Sequence, residues 1–210
     1  KSSVKTYGRM VRQDWVRENS QRNAIAIALR RMGLRSDDIV MVSDVDEIPR
    51  ASTVGRIRKH FETRREMASC TMPMYRFHYN TQDVTQCTDH VRHHWHGTFA
   101  VMYRHVIRYG EDLSMLRMLR HSYKRSVDGL KNVEFPFAGW HFTWIGDFDR
   151  YVEKSQATLR HYVGNYDGKE RSREHFERVT STLKTVELDK SFPALFHTRA
   201  FSEKKDLILT

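Results

Sequence analysis

Asp37-Asp38-Ile39-Val40-Met41-Val42-Ser43-Asp44-Val45-Asp46-Glu47-Ile48-Pro49 is an apolar run that stops abruptly in carboxylates and a proline. Ile39 to Val42 has the length and β-branched content of a strand buried on both faces, as parallel strands in α/β proteins are. The acids stand at its C-terminal end, the end at which ligands bind in an open α/β sheet. With a side-chain period of two, Asp44 and Asp46 point to one side and Val45 to the other. Carboxylates this close repel one another, and a divalent cation, a shared proton or an arginine would compensate them.

Working outward, Val16 to Met32 is expected to be a helix, following a polar opening that ends at Trp15. Ile25, Ala28, Leu29 and Met32 recur at helical spacing, Glu18 pairs with Arg22 one turn on, and Gly33 supplies the stop. After Pro49 a second helix is expected from Ala51 to Arg65, with Ser52 as N-cap and Val54, Ile57 and Phe61 on its apolar face. Met67 to Tyr79 reads as a strand in which Pro73 marks an edge or a bulge. Thr81 to Thr88 has loop composition. Further on, Thr98 to Arg104 reads as a strand, and Asp112 to His121, Asp147 to Tyr162 and Ser172 to Lys184 as helices.

The chain is long enough for one well-buried domain, here residues 1–210. Thirty-six Lys and Arg against 26 Asp and Glu give a formal charge of +10, which favours an anionic partner. The basic residues are scattered rather than blocked, so an ordinary solvated surface accounts for them equally well. Cys70 and Cys87 are too few for a disulfide scaffold. Cys87, His90, His93, His94 and His96 bring zinc to mind, but no ordered ligand frame links them, and hydrogen-bonded or solvated histidines are expected. No apolar run reaches the roughly 18 to 20 residues of a membrane span. A cytoplasmic location is expected.

A second informative block is Phe135-Pro136-Phe137-Ala138-Gly139-Trp140-His141-Phe142-Thr143-Trp144. Aromatic rings crowd around one histidine and one glycine. Such a block forms an aromatic core strand, or it offers flat faces to a sugar or base beside an imidazole able to ligate a metal or donate to a phosphate.

The acidic block from Leu34 to Pro49 and the block from Phe137 to Trp144 together resemble the signature segments of family 17 glycosyltransferases. These include the β-1,4-mannosyl-glycoprotein β-1,4-N-acetylglucosaminyltransferases. The helix around Gln21-Arg22-Asn23-Ala24 is similar too. The resemblance implies a GT-A-like, Rossmann-like α/β fold with a mostly parallel central sheet, of which the N-terminal strands are missing or reduced here. It implies a UDP-sugar donor, UDP-GlcNAc, a glycan or glycoconjugate acceptor, Mn2+ or Mg2+, and inversion at the anomeric carbon. It implies the Golgi lumen instead of the cytoplasm if an anchor has been removed. Asp44 and Asp46 match the family's DxD motif, which Glu47 extends, and Trp140 and His141 match its Gly-Trp-His block. The implied metal ligands are Asp44, Asp46 and His141, with Glu47, Trp140, Arg22 and Asn23 toward the donor.

Inverting transfer also requires a base for the acceptor hydroxyl. Glu134, Asp147 and Asp149 flank the aromatic block and are the candidates. A metal-dependent nuclease or phosphatase would use the same acids, but needs more of them to hold a second metal. A basic nucleic-acid-binding module leaves the buried acidic strand unexplained, and its acids would repel a phosphate backbone, so no stable nucleic-acid complex is expected.

Overall fold

The computed structural model of the chain describes residues 13–64, 66–84, 94–120, 129–157, 172–198, 201 and 208. The chain forms two compact units, Lys1–Val42 with Arg56–Ser69 and Phe99–Glu134, and Ser43–Gly55 with Cys70–Thr98 and Phe135–Thr210. Among the described residues no helix is long and apolar enough to cross a membrane.

In the first unit, α1 (Gln13–Arg31) ends where Gly33 takes φ +64, a left-handed conformation that suits glycine. Its buried stripe is Arg22, Ala26 and Leu29, spaced i, i+4, i+7, whereas Ile25, Ile27 and Met32 stay exposed. The expected apolar face through Ile25, Ala28 and Met32 is therefore corrected, with only Leu29 kept. The reason is the partner. Helix α4 (Leu113–Leu119) begins at the N-cap Asp112, whose carboxylate accepts from the Met115 N–H. Asn23 donates to that carboxylate at 3.2 Å and accepts from the Ser114 N–H at 3.0 Å, so a polar helix start is seated on the Asn23 side of α1.

Strand β1 (Ile39–Val42) pairs antiparallel with β5 (His94–Met102), Val42 facing Phe99 and Ile39 facing Met102. Val40 and Val42 are buried while Ile39 is 38% exposed. The strand is thus neither parallel nor covered on both faces. Val40 and Val42 join Leu29, Phe99, Val101, Val106, Leu113 and Leu116 in one core cluster. The chain turns helical straight after β5 in α3 (Tyr103–Arg108), whose first amides reach back to the Asp38 and Ser36 carbonyls. The strand expected over Thr98 to Arg104 is displaced accordingly. A cleft of about 570 Å³ in this unit is lined by Thr63, Arg64, Glu66, His105, Arg108 and Lys131, and contains none of the candidate donor or metal residues.

Helix α2 (Ala51–Thr63) starts two residues earlier than a Ser52 cap would allow. The Arg50 carbonyl takes the Thr53 and Val54 amides, so Ser52 lies inside the first turn. Thr53, Ile57 and Phe61 form its buried stripe, and Val54 is 44% exposed.

The second unit is organised on β3 (Met67–Arg76), which changes unit between Ser69 and Cys70. It pairs antiparallel with β4 (Thr81–Asp83), a strand formed where loop composition was expected, and parallel with β7 (Gly139–Thr143). With a neighbour on each side, β3 is buried from Met67 to Tyr75, and Pro73 marks no edge. Strand β2 (Glu47–Pro49) lies antiparallel on β7, β6 (Asn132–Phe135) on β3, and β8 (Lys184–Thr185) on β4. The sheet order is β1-β5-β3-β4-β8 with β2, β6 and β7 off that path. Helices α5 (Phe148–Ala157) and α6 (Arg173–Ser181) and a 3-10 turn at Ala194–His197 complete the unit.

The α/β class holds, but the expectation of a mostly parallel sheet is corrected. Where register is described, β3–β7 is the parallel pairing and the others are antiparallel. Parallel neighbours need a crossover of a dozen or more residues, and β1 instead feeds a tight turn into β2.

Gly139 is where β2 and β7 come closest. A Cβ there would sit 2.2 Å from the Ile48 carbonyl oxygen and 2.8 Å from Pro49 Cα, both backbone atoms. Gly139→Ala is expected to destabilise the protein by about 3 kcal/mol or more, measured by denaturant unfolding.

Candidate active site

Residues 44–47 are a β-turn rather than the continuation of a strand. The Glu47 amide donates to the Asp44 carbonyl at 3.0 Å, and Val45 at the tip is 102% exposed. Strand alternation therefore does not govern Asp44 and Asp46, and their placement follows from the turn. The Ser43 hydroxyl ties the base of the turn together, donating to the Glu47 carbonyl at 2.9 Å and sharing a hydrogen bond with the Thr98 hydroxyl.

Glu47 points inward and is 4% exposed. One carboxyl oxygen accepts from the Trp95 indole N–H at 2.7 Å and the other from the Asp44 amide at 3.1 Å. A buried carboxyl of this kind needs both partners. Gly97 makes room for it, since a Cβ there would lie 3.1 Å from Glu47 Cδ. Trp95 and Gly97, two apart on β5, share a strand face, the one on which Glu47 lies.

Trp95 in turn stacks on His141, ring centroids 4.7 Å apart at 25°. His141 stands opposite Glu47 in the β2–β7 register, and its Nε2 lies 3.5 Å from Asp46 Oδ2. The Phe142 amide donates to the Asp46 carbonyl at 2.8 Å, which fixes the turn against β7. Glu47, Trp95, His141 and Asp46 thus form a closed circuit of contacts. Burial raises the Asp46 carboxyl, but the hydrogen bond and charge of His141, helped by Lys154, outweigh it and hold it below its ordinary 3.8.

The pleat of β7 divides the Gly-Trp-His block. His141 and Thr143 share the face toward the turn, and Trp140 and Phe142 share the other. Trp140 packs with Tyr75, Phe142 and Phe192, and the Arg50 guanidinium lies 3.9 Å from its ring centroid. Trp140 is thus packed in an aromatic cluster under a cation, while His141 faces the acidic turn.

Of the other candidates, Arg22 and Asn23 lie in the first unit, where Arg22 pairs with Glu18 at 2.8 Å and Asn23 seats α4. Glu134 is in β6 of that unit. Asp147 accepts from the Arg150 amide at 3.0 Å, capping the start of α5, and Asp149 is exposed in its first turn. Trp95, Gly97, Thr143 and Lys154 were not singled out from the sequence. The Trp95-x-Gly97 alternation was the available signal for two of them, hidden in a stretch dominated by histidines. His94 and His96 are strand residues of β5, while Cys87, His90 and His93 lie outside the described residues. Among the described residues no three His, Cys, Asp or Glu side chains converge as a metal cage.

A family model described as glycosyltransferase family 17 matches residues 2–115, more than half of the chain. The chain belongs to glycosyltransferase family 17. Comparison with curated proteins and with solved structures finds no match. In this family 17 chain the matched region contains the acidic turn, Trp95 and Gly97, while His141, Thr143 and Lys154 lie beyond it.

Trp95→Phe keeps the stacking ring but removes the indole hydrogen bond to the buried Glu47 carboxyl. A loss of about 1–3 kcal/mol is expected in denaturant unfolding. Asp46 stabilises the folded state above its unfolded pKa, and that contribution is lost as pH falls through its lower folded pKa. Acid unfolding profiles below about pH 4 should therefore be flatter in Asp46→Asn than in the wild type.

Proposed function

We propose that this family 17 chain is an inverting transferase that moves N-acetylglucosamine from UDP-GlcNAc to a hydroxyl of a glycan or glycoconjugate, on a GT-A-like scaffold. The observation that carries this is the acidic turn placed against His141, with Asp46 Oδ2 and His141 Nε2 3.5 Å apart, in a chain of glycosyltransferase family 17.

The donor set fits a hard divalent cation, Mn2+ or Mg2+. Such ions are held by one or two carboxylates together with substrate phosphates rather than by a dedicated protein cage. Asp44 and the part-exposed Asp46 supply the carboxylates, and His141 supplies an imidazole edge at a distance longer than a strong hydrogen bond. Among the described residues no three His, Cys, Asp or Glu side chains converge, so in this reading Asp44 and Asp46 would hold the ion together with the donor's diphosphate, with His141 beside Asp46. The bound ion would offset charge on the departing nucleotide.

The chain's own residues do the rest. Glu47 and Trp95 set the angle of the His141 ring, and the turn presents Asp46 toward it. A base must take the acceptor proton. Asp147 is committed to its cap, which leaves Asp149 for that role in the unit that carries the acidic turn. A preserved melting temperature with kcat lowered at least about 100-fold in Asp149→Asn would assign it, whereas Asp147→Asn is expected to act on stability.

The reading is tested by UDP release from UDP-GlcNAc with a glycan acceptor, in Mn2+ and in EDTA. Turnover should need the cation, and Asp46→Ala should lower kcat/KM by at least about 100-fold. Metal-independent turnover, or equal rates in Asp46→Ala, would refute it.

A further inference from the structure

Lys154 of α5 is partly buried, and its ammonium donates to the Thr143 hydroxyl at 3.2 Å. Thr143 and His141 are two residues apart in β7 and share a face, so Lys154 is held on the side of the strand where His141 meets Asp46. Its further contact is with the Trp144 ring, whose centroid is 5.2 Å from Nζ. Trp144 itself takes φ +58, a left-handed conformation uncommon for a bulky residue, where the chain leaves β7 for α5.

The neighbouring cations are matched. Arg76 pairs with the buried Asp83 at 3.3 Å, and Arg150 pairs with Glu153. Lys154 differs, because among the described residues no carboxylate lies within 4.0 Å of its ammonium. Burial lowers its pKa, Asp46 opposes that, and the charges of Arg150 and Arg76 lower it further. A cation partly withdrawn from water beside a neutral hydroxyl, with Asp46 acting on it only beyond ion-pair distance, keeps the capacity to pair with an arriving anion.

We propose that the Lys154 ammonium and the Thr143 hydroxyl form the subsite for the diphosphate of the donor. This rests on the transferase reading and names the group that receives the leaving nucleotide. In the transfer, the bond between the anomeric carbon and the β-phosphate oxygen breaks and its electron pair stays on that oxygen. The acceptor oxygen forms the new bond to the anomeric carbon, and its proton goes to the base. Lys154 offsets the charge gained by the phosphate, as a compact point charge suits a phosphate oxygen.

The test is calorimetric binding of inorganic pyrophosphate in EDTA, and of UDP with Mn2+, to the wild type, Lys154→Ala, Lys154→Arg and Thr143→Val, with a melting temperature for each. The wild type should bind both, Lys154→Ala should weaken both by at least about 10-fold, and Lys154→Arg should recover most of the affinity. Thr143→Val keeps the ammonium and should lose less, and together with Lys154→Arg it decides the matter if Lys154→Ala does not fold. Wild-type UDP binding that is equally tight in Lys154→Ala would overturn the subsite and leave the transferase standing. A wild type that binds neither pyrophosphate nor UDP would overturn both.

Discussion

The buried carboxyl of Glu47 is the constraint on which the rest of the site depends. A carboxyl taken out of water must have its oxygens satisfied, and here one is met by the Trp95 indole and the other by the amide of Asp44. The first bond draws β5 to the turn and places the indole as a floor for His141. The second closes the turn on itself, so the backbone that carries Asp46 has little freedom. Gly97 belongs to the same device, since any larger residue would press on Glu47 Cδ. Rigid support of this kind separates a functional pair held in place from two polar groups that merely come near each other.

Strand β7 is the second organising element, and it works by its pleat. Trp140 and Phe142 go into an aromatic cluster with Tyr75 and Phe192, which supplies apolar burial to that part of the sheet. His141 and Thr143 go to the opposite face, toward the acidic turn and Lys154. One short segment thereby serves both packing and chemistry. The close approach at Gly139 brings β2 and β7 together at the point from which both functions start.

Much of this was legible in the sequence, for specific reasons. The apolar run before Asp44 announced a strand ending in acids, and the Phe137 to Trp144 block announced a strand bearing one histidine among aromatics. What misled was local. Ile25, Ala28, Leu29 and Met32 repeat at helical spacing, yet the helix buries Arg22, Ala26 and Leu29 because a polar cap docks on Asn23. Pro73 reads as an edge signal, yet β3 has neighbours on both sides. The β-branched run at Ile39 to Val42 reads as a parallel strand, yet it meets β5 antiparallel with one face partly open. In each case the pattern reports an amphipathic or apolar segment and is silent on which partner will cover it.

The sequence by itself determined the residue chemistry and the local breaks: a strand ending at Val42, acids at 44, 46 and 47, an imidazole at 141, and membership of glycosyltransferase family 17 through residues 2–115. Tertiary structure alone decided that Glu47 turns inward while Asp46 turns toward His141, that Trp95 lies between the buried acid and the imidazole, and that Lys154 comes from a later helix to the same face of β7. The physical reason is that spacing along a chain sets direction only within one element. Which groups from separate elements meet depends on pairing register, the sense of a turn and the demand of buried polar atoms for partners, and those are settled only when the elements pack.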